Sequence, residues 1–241
     1  SSSGTDLRDG TRRPGWLKAL STGPGDYWIR MFYCYPNSFT DDVLEVMASD
    51  PRFCRYLDMP FQHISDPVLK KMNRKITRKE IEATMSRVRS QLPDVAWRTT
   101  FIVGFPTETD QDFEELVDFV SEGHFQHLGI FLYSDEDNIR SSKFGDPIPL
   151  SLKEERKNRL MEIQQKISRE HHQKMVGSLQ QVLVGGFSSE TDLLLEGRNQ
   201  YQGPEVDGVV YINEGNATSA GFHQVEITEA HEYDLVGKIL N

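Results

Sequence analysis

Apolar residues along this chain fall into short continuous runs that alternate with longer stretches of helical spacing. The clearest example is segment 97–123, in which residues 101–103 form an apolar run without a polar face. Such a run predicts a parallel strand that is covered on both sides. Gly104 and Pro106 end the run, and the helical pattern that follows stops at Gly123. The segment therefore predicts one complete unit of strand, loop and helix.

Four strand-like segments recur along the first part of the chain, each followed by a helical pattern. That alternation predicts parallel βα units. In parallel α/β folds the loops after the strands build the ligand site, so we expect function at these strand ends. The predicted strands cover residues 27–33, 56–60, 97–103 and 128–133.

Several positions carry the signature of a helix N-terminus. Thr77 and Thr109 are each followed by an acidic residue three positions on, which predicts a capping box. Asp66 precedes a proline, which is typical of a first helical turn. Ser151 also has a glutamate three positions on, and a long connecting helix is predicted from there to about Gly177.

Beyond Gly177 the pattern changes to short strands separated by glycines and polar turns. Five such strands predict a small β-barrel of the OB type. We therefore divide the chain into an α/β part at 1–150, a connecting helix at 151–176 and a barrel at 177–241. The predicted barrel strands are 179–184, 193–196, 209–212, 225–228 and 235–240.

The 241 residues carry a formal net charge of −10 with an isoelectric point near 5.2, which argues against a general nucleic-acid binder. No apolar run approaches the roughly 18 residues that a membrane helix needs, and a secretory signal pattern is not apparent. A cytoplasmic protein is expected. Cys34 and Cys54 lie outside any C-x-x-C cluster, and we expect reduced, packed thiols, although a disulfide stays open.

Charge is distributed unevenly between the two predicted parts. Residues 177–241 contain ten acidic side chains and two basic ones, Arg198 and Lys238, which gives −8 and leaves −2 for residues 1–176. Two interpretations stay open: a solvated surface, or a dock for a basic partner.

Several segments together resemble the radical S-adenosylmethionine (SAM) methylthiotransferases, in the family's order and on the elements already inferred. The resemblance implies an α/β fold with a partial TIM-type radical SAM barrel, followed by a small all-β, OB-like TRAM barrel. The matching segments are YLDMPFQHISDPVLKKMNR, RTTFIVGFPTETDQDFEELVDFV, FLYSDED, EGRNQYQGPEVDGVVYI and AHEYDLVGKIL.

Within this family, FQHISD and PEVDGVVYI are most similar to the RimO branch, which modifies an aspartate side chain of a small-subunit ribosomal protein. The implied partners are SAM and that basic protein, held by the acidic barrel. Two alternatives stay open. A tRNA-adenosine methylthiotransferase would bring its barrel to RNA, but an acidic barrel repels phosphate, so RNA binding is not expected. A non-catalytic binding module for a basic ribosomal protein would bind its partner without affinity for SAM.

The resemblance also implies cofactors, namely SAM and two [4Fe-4S] clusters. The family holds one cluster with a C-x-x-x-C-x-x-C loop and the other with three cysteines of a further domain, and this chain has neither set. We therefore expect no metal ligands here, and a fragment of a longer enzyme that does not cleave SAM by itself.

Site residues carried over from the family lie after the predicted strands. Thr107 replaces a glycine that the family usually has, and residues 137–139 replace its usual Glu-Gly-Thr. The predicted substrate contacts are His63, Glu205 and Asp207. The predicted SAM contacts are Gln62, Ser65, Gly104, Glu108, Tyr133, Ser134 and Glu136.

Overall fold

The computed structural model describes residues 13–36, 39–135, 145–215 and 220–240. Its first part is a four-stranded parallel sheet in the order β1-β2-β3-β4, with helices between the strands. The elements are α1 (Arg13–Leu20), β1 (Ile29–Met31), α2 (Asp41–Ser49), β2 (Phe53–Asp58), α3 (Asp66–Lys71), α4 (Arg78–Gln91), β3 (Ala96–Val103), α5 (Asp110–Ser121), β4 (His127–Leu132) and α6 (Leu150–Gln173).

Strand β3 shows how the sheet separates its two faces. Trp97 and Phe101 are fully buried in the main apolar core, which the apolar faces of α2, α4 and α5 complete. Arg98, Thr100 and Ile102 alternate with them and line a cavity on the other face. Because successive side chains of a strand point to opposite faces, one strand serves both the core and the candidate site.

Helix starts follow the capping signals at two of the predicted positions. Thr77 and Thr109 both form complete capping boxes with the acidic residue three positions on. The prediction at Ser151 is wrong, because α6 begins one residue earlier and Pro149 occupies its N-cap without a side-chain bond. Ser151 is already inside the first turn, where its hydroxyl has no capping role.

The second part is a closed five-stranded barrel in the order β5-β6-β7-β9-β8, as predicted. Four of the five strands are longer than predicted, and β5 and β8 exceed the prediction most, since their ladders include Gly186 and Gly221, both at positive φ. Eight apolar side chains, including Val182 and Ile227, fill the interior. The strands are β5 (Leu179–Phe187), β6 (Leu195–Asn199), β7 (Val210–Glu214), β8 (Gly221–Ala230) and β9 (Leu235–Ile239).

Helix α6 connects the two parts and packs on β3, β4, α5 and β8. Across the described ranges, none of the helices combines the length and the apolar character needed to span a bilayer.

The two helix starts make a matched test of capping. We expect Thr77→Ala to lower the free energy of unfolding by about 1 kcal/mol, because the substitution removes the acceptor for the Glu80 amide. Ser151→Ala should change it by less than about 0.5 kcal/mol. Urea titrations of both variants measure the difference, and an equal loss in both would contradict the assigned N-caps.

Candidate functional site

A cavity of about 620 Å³ lies on the open face of the sheet, near the carboxyl ends of its strands. That is the edge of a parallel sheet where ligands bind, and the volume falls within the roughly 300–1,000 Å³ typical of small-molecule sites. The barrel contributes residues 204–206 to the same cavity. Side chains from the α/β part that line it are Phe32, Tyr33, Asp58, Gln62, Arg98, Thr100, Ile102 and Phe131.

Gln62 is the predicted cofactor residue that lines this cavity. Its backbone is in the left-handed region, with φ of 74°, which is uncommon for a non-glycine residue. The conformation is held because the Gln62 amide donates to the Thr100 carbonyl at 2.9 Å and its carbonyl accepts from the Ile102 amide at 2.9 Å. Strain that a structure holds in this way is characteristic of functional positions.

Glu108 closes the loop after β3 upon itself. Its Oε2 accepts from the amides of Gly104 at 2.8 Å and Phe105 at 3.3 Å. Its Oε1 accepts from Arg156 Nη1 of α6 at 2.6 Å. Both carboxylate oxygens are used inside the chain, and the residue is buried. Glu108 therefore shapes the loop and does not line the cavity.

His63 and Ser65 are also buried, and they connect the loop after β2 to α5 and to the loop after β3. His63 Nδ1 accepts from the Ser65 amide at 3.0 Å, and its Nε2 lies 3.7 Å from Glu108 Oε2. The Ser65 hydroxyl donates to the Asp112 carboxylate. Burial opposes ionisation of Asp112, but hydrogen bonds from Ser65 and Thr109 outweigh it and hold the Asp112 pKa below its usual value.

Gly104 is required by its surroundings. Its φ is 75°, and a Cβ at this position would lie 2.7 Å from Cδ of Lys153. The buried Lys153 side chain crosses this glycine, and its Nζ donates to the Tyr133 carbonyl at 2.8 Å and to Asp146 Oδ2 at 2.6 Å. The close approach at Gly104 is thus made by α6.

The predicted residues after β4 have different environments. The Tyr133 ring is buried and packs edge-on against Phe105, with ring centroids 5.3 Å apart. Its hydroxyl has no hydrogen-bond partner among the described residues. Ser134 is exposed. Glu136 and the neighbouring replacements at 137–139 lie outside the described residues.

Asp207 of the barrel is inserted against the open face of the sheet. Its side chain is only 2 % exposed and accepts from the Tyr56 hydroxyl at 2.7 Å. Arg98 Nε and His127 Nδ1 lie 3.4 and 3.5 Å from Asp207 Oδ1. Burial and the adjacent Asp207 carboxylate both raise the Tyr56 pKa far above its usual value, so Tyr56 remains a hydrogen-bond donor. Asp207 is occupied within the chain and is not presented to a substrate, whereas the neighbouring Glu205 is exposed and lines the cavity.

Sequence reasoning missed the basic residues Lys153 and Arg156, which organise the loops from α6. Their spacing of three on one helix face was the available signal, because residues three apart are neighbours on a helix surface. It did not identify Asp58 as the ion-pair partner of Arg98; Arg98 Nη1 and Asp58 Oδ1 lie 3.0 Å apart. A charged residue inside an otherwise apolar strand indicated a buried partner.

The two cysteines of the chain are the candidate ligands for an iron–sulfur cluster. Cys34 and Cys54 are both buried and do not form a disulfide, and burial raises the pKa of the Cys54 thiol from 9.0 to about 11. Clusters are bound by thiolates, which this environment disfavours. Within the described residues, no group of three or more His, Cys, Asp or Glu side chains is arranged to hold a metal ion. The residues present therefore do not fit a cluster.

Comparison with known protein families defines the class. Residues 14–120 match the model of the radical SAM superfamily, and residues 176–240 match that of the TRAM domain. The chain is thus a radical SAM protein that carries a TRAM barrel, and the predicted fold class is confirmed. The superfamily match indicates that SAM and an iron–sulfur cluster are the cofactors.

Curated relatives narrow the class. Proteins named ribosomal protein uS12 methylthiotransferase RimO are 47 % identical in Bdellovibrio bacteriovorus, 44 % in Desulfotalea psychrophila and 40 % in Geobacter sulfurreducens. The matches cover 98 %, 99 % and 99 % of this chain and 53 %, 54 % and 53 % of those proteins. The chain belongs to the RimO family of radical SAM methylthiotransferases, as the resemblance predicted, and spans about half the length of the curated relatives it matches.

Among solved structures, the radical SAM methyltransferase TsrM from Kitasatospora setae, with cobalamin and a [4Fe-4S] cluster bound, is 21 % identical. The matched region covers 43 % of this chain and 19 % of the TsrM chain, with a TM-score of 0.36. A similarity at this level does not establish a shared fold.

Two glycines with nearly equal φ test the packing of Gly104. We expect Gly123→Ala, at φ of 74° with open space around it, to lower the free energy of unfolding by about 1–2 kcal/mol. Gly104→Ala adds the collision with Lys153 and should cost about 1–3 kcal/mol more. Denaturant titration measures both, and equal costs would show that Lys153 moves aside freely.

The Cys54 environment predicts protection of its thiol. In a Cys34→Ala background, Ellman's reagent at about pH 8 should react far more slowly with the folded protein than with protein in guanidinium, because only the thiolate reacts. The folded pKa is raised, so stability is unaffected below pH 9 and falls as the pH rises from 9 towards 11, where the unfolded thiol ionises first. Equal rates in both states would contradict the assignment.

Proposed function

We propose that this chain is the SAM-contacting and substrate-recognising part of a methylthiotransferase that adds a methylthio group to an aspartate side chain of ribosomal protein uS12. The observation that carries the proposal is identity of 40–47 % along 98–99 % of the chain with proteins of that name. Because ribosomes lie in the cytoplasm, the reaction takes place there. We propose that the chain consists of an α/β part at 1–150, a connecting helix at 151–176 and a barrel at 177–241.

The cavity supports SAM binding at the sheet. Gln62 contacts the cofactor directly, and we assign Gly104 to the cofactor through the loop that follows β3, the strand that supplies Ile102 to the cavity. Ser65, Glu108 and Tyr133 act as positioning residues, because their polar atoms face the interior of the loops. SAM supplies the methyl group when bound. The complete reaction also uses two [4Fe-4S] clusters, whose ligands come from outside this chain.

The barrel recognises the protein substrate by charge. It carries the −8 of residues 177–241, whereas a protein built into RNA is basic because it must neutralise phosphate. The same field opposes tRNA, so the tRNA-modifying alternative is not favoured. The lack of a fitting cluster site among the described residues favours binding as the role of this chain when it is alone.

Binding of the chain to purified uS12 over a salt series, with a tRNA hairpin as competitor, tests this proposal. We expect uS12 to bind with an affinity that falls as salt rises, and the hairpin not to compete. If the chain binds the hairpin and does not bind uS12, the assigned substrate is wrong.

Two triple variants make the test specific to the barrel. Both replace three exposed acids by amides, so the change in charge is equal. The barrel variant should weaken uS12 binding severalfold, and the α6 variant should not. If both variants weaken uS12 binding equally, the barrel is not the part of the chain that recognises uS12. The substitutions are Glu190→Gln, Asp192→Asn and Glu229→Gln in the barrel, and Glu154→Gln, Glu155→Gln and Glu162→Gln in α6.

A further inference from the structure

A loop of the barrel forms one wall of the cavity that the sheet provides. The barrel loop, residues 203–208, lies between β6 and β7. Its residues 204–206 line the cavity beside Gln62 and Phe131. The candidate site is therefore built from both parts of the chain, and a ligand in the cavity meets the barrel directly.

Asp207 fixes the barrel loop in place. Its amide donates to the Gly203 carbonyl at 3.2 Å, and its Oδ2 accepts from the Gly203 amide at 2.7 Å. The same carboxylate bonds the Tyr56 hydroxyl and lies 3.4 Å from Arg98. The loop is closed on itself and anchored to three strands, since His127 of β4 also lies 3.5 Å from this carboxylate. The residues between its ends therefore have defined positions.

The loop also fits closely against its neighbours. A Cβ at Gly203 would lie 2.6 Å from the Tyr56 hydroxyl oxygen, and one at Gly208 would lie 2.5 Å from the Tyr233 carbonyl carbon. Between these glycines, Glu205 has φ of 65°. A left-handed glutamate is strained, and it persists where the surroundings impose it. The conformation keeps the Glu205 side chain exposed at the cavity.

The charges around the cavity leave one carboxylate available. Arg98 lies between Asp58 at 3.0 Å and Asp207 at 3.4 Å, so both of these acids share its guanidinium. Within the part of the chain that the structure describes, Glu205 has no basic side chain at ion-pair distance. The charged side chains that line the cavity are Asp58, Arg98 and Glu205, and Arg98 is already paired with Asp58 and Asp207. The Glu205 charge is therefore not balanced at the cavity, which favours a cation there.

We propose that Glu205 is a specificity-determining residue, which pairs with a basic side chain of the substrate segment that enters the cavity. The barrel loop limits how far that segment enters, and Glu205 selects segments with a lysine or arginine near the modified residue. This inference rests on the proposed function, because the occupant is a segment of uS12.

The variant Glu205→Gln tests the role of the charge with the shape kept. We expect its dissociation constant for labelled uS12, measured by fluorescence anisotropy at low salt, to rise about fivefold. Glu162→Gln makes the same change at an exposed position of α6, outside the barrel. It should raise the constant at most about twofold. Thermal melting of both variants shows that they fold like the parent chain.

A charge reversal adds a second readout. Glu205→Lys should bind wild-type uS12 poorly and should recover affinity for a uS12 variant in which one basic residue near the modified position is changed to glutamate. Equal losses for Glu205→Gln and Glu162→Gln, or no recovery with any such uS12 variant, would overturn the inference and leave the proposed function standing. Failure of the parent chain to bind uS12 would overturn both.

Discussion

The buried carboxylate of Asp207 is the interaction on which the arrangement of the two parts depends. An unpaired buried charge costs several kcal/mol, so the barrel keeps its place only where the sheet supplies partners. Tyr56, Arg98 and His127 supply them from three adjacent strands. Because β2, β3 and β4 all contribute, the carboxylate fixes the position of the barrel across the sheet. The cavity exists in its observed form because of this contact.

Helix α6 constrains the site from the opposite side. Arg156 bonds the carboxylate that shapes the loop after β3, and Lys153 crosses Gly104 to reach the carbonyl after β4. One helix face thus sets two strand-end loops at once. The helix also leads into β5, the first strand of the barrel, so the element that organises the loops is covalently joined to the barrel. Several motif residues of the family consequently support the loops from within, while Gln62 faces the cavity.

Local patterns in the sequence predicted the local structure. The apolar run of β3 and the capping boxes at Thr77 and Thr109 depend on neighbours within a few residues, and each was confirmed. Ser151 failed because a capping pattern does not reveal that the helix has already begun at the preceding residue. The pairing of Asp207 with Tyr56 joins positions 151 residues apart, and periodicity contains no information at that distance. The environments of the candidate site residues could therefore be determined only from the structure.

Under the proposed function, the distribution of charge would connect these elements to substrate choice. Arg98 pairs with both buried acids beside the cavity, and the exposed acids of the barrel add further negative charge. A basic protein segment would be attracted first by the barrel surface and then by the cavity, since both have the same sign. A polyanion would be opposed at both stages. Arg98 pairs with both Asp58 and Asp207. The contact that joins the domains therefore leaves the Arg98 charge unavailable for binding a phosphate.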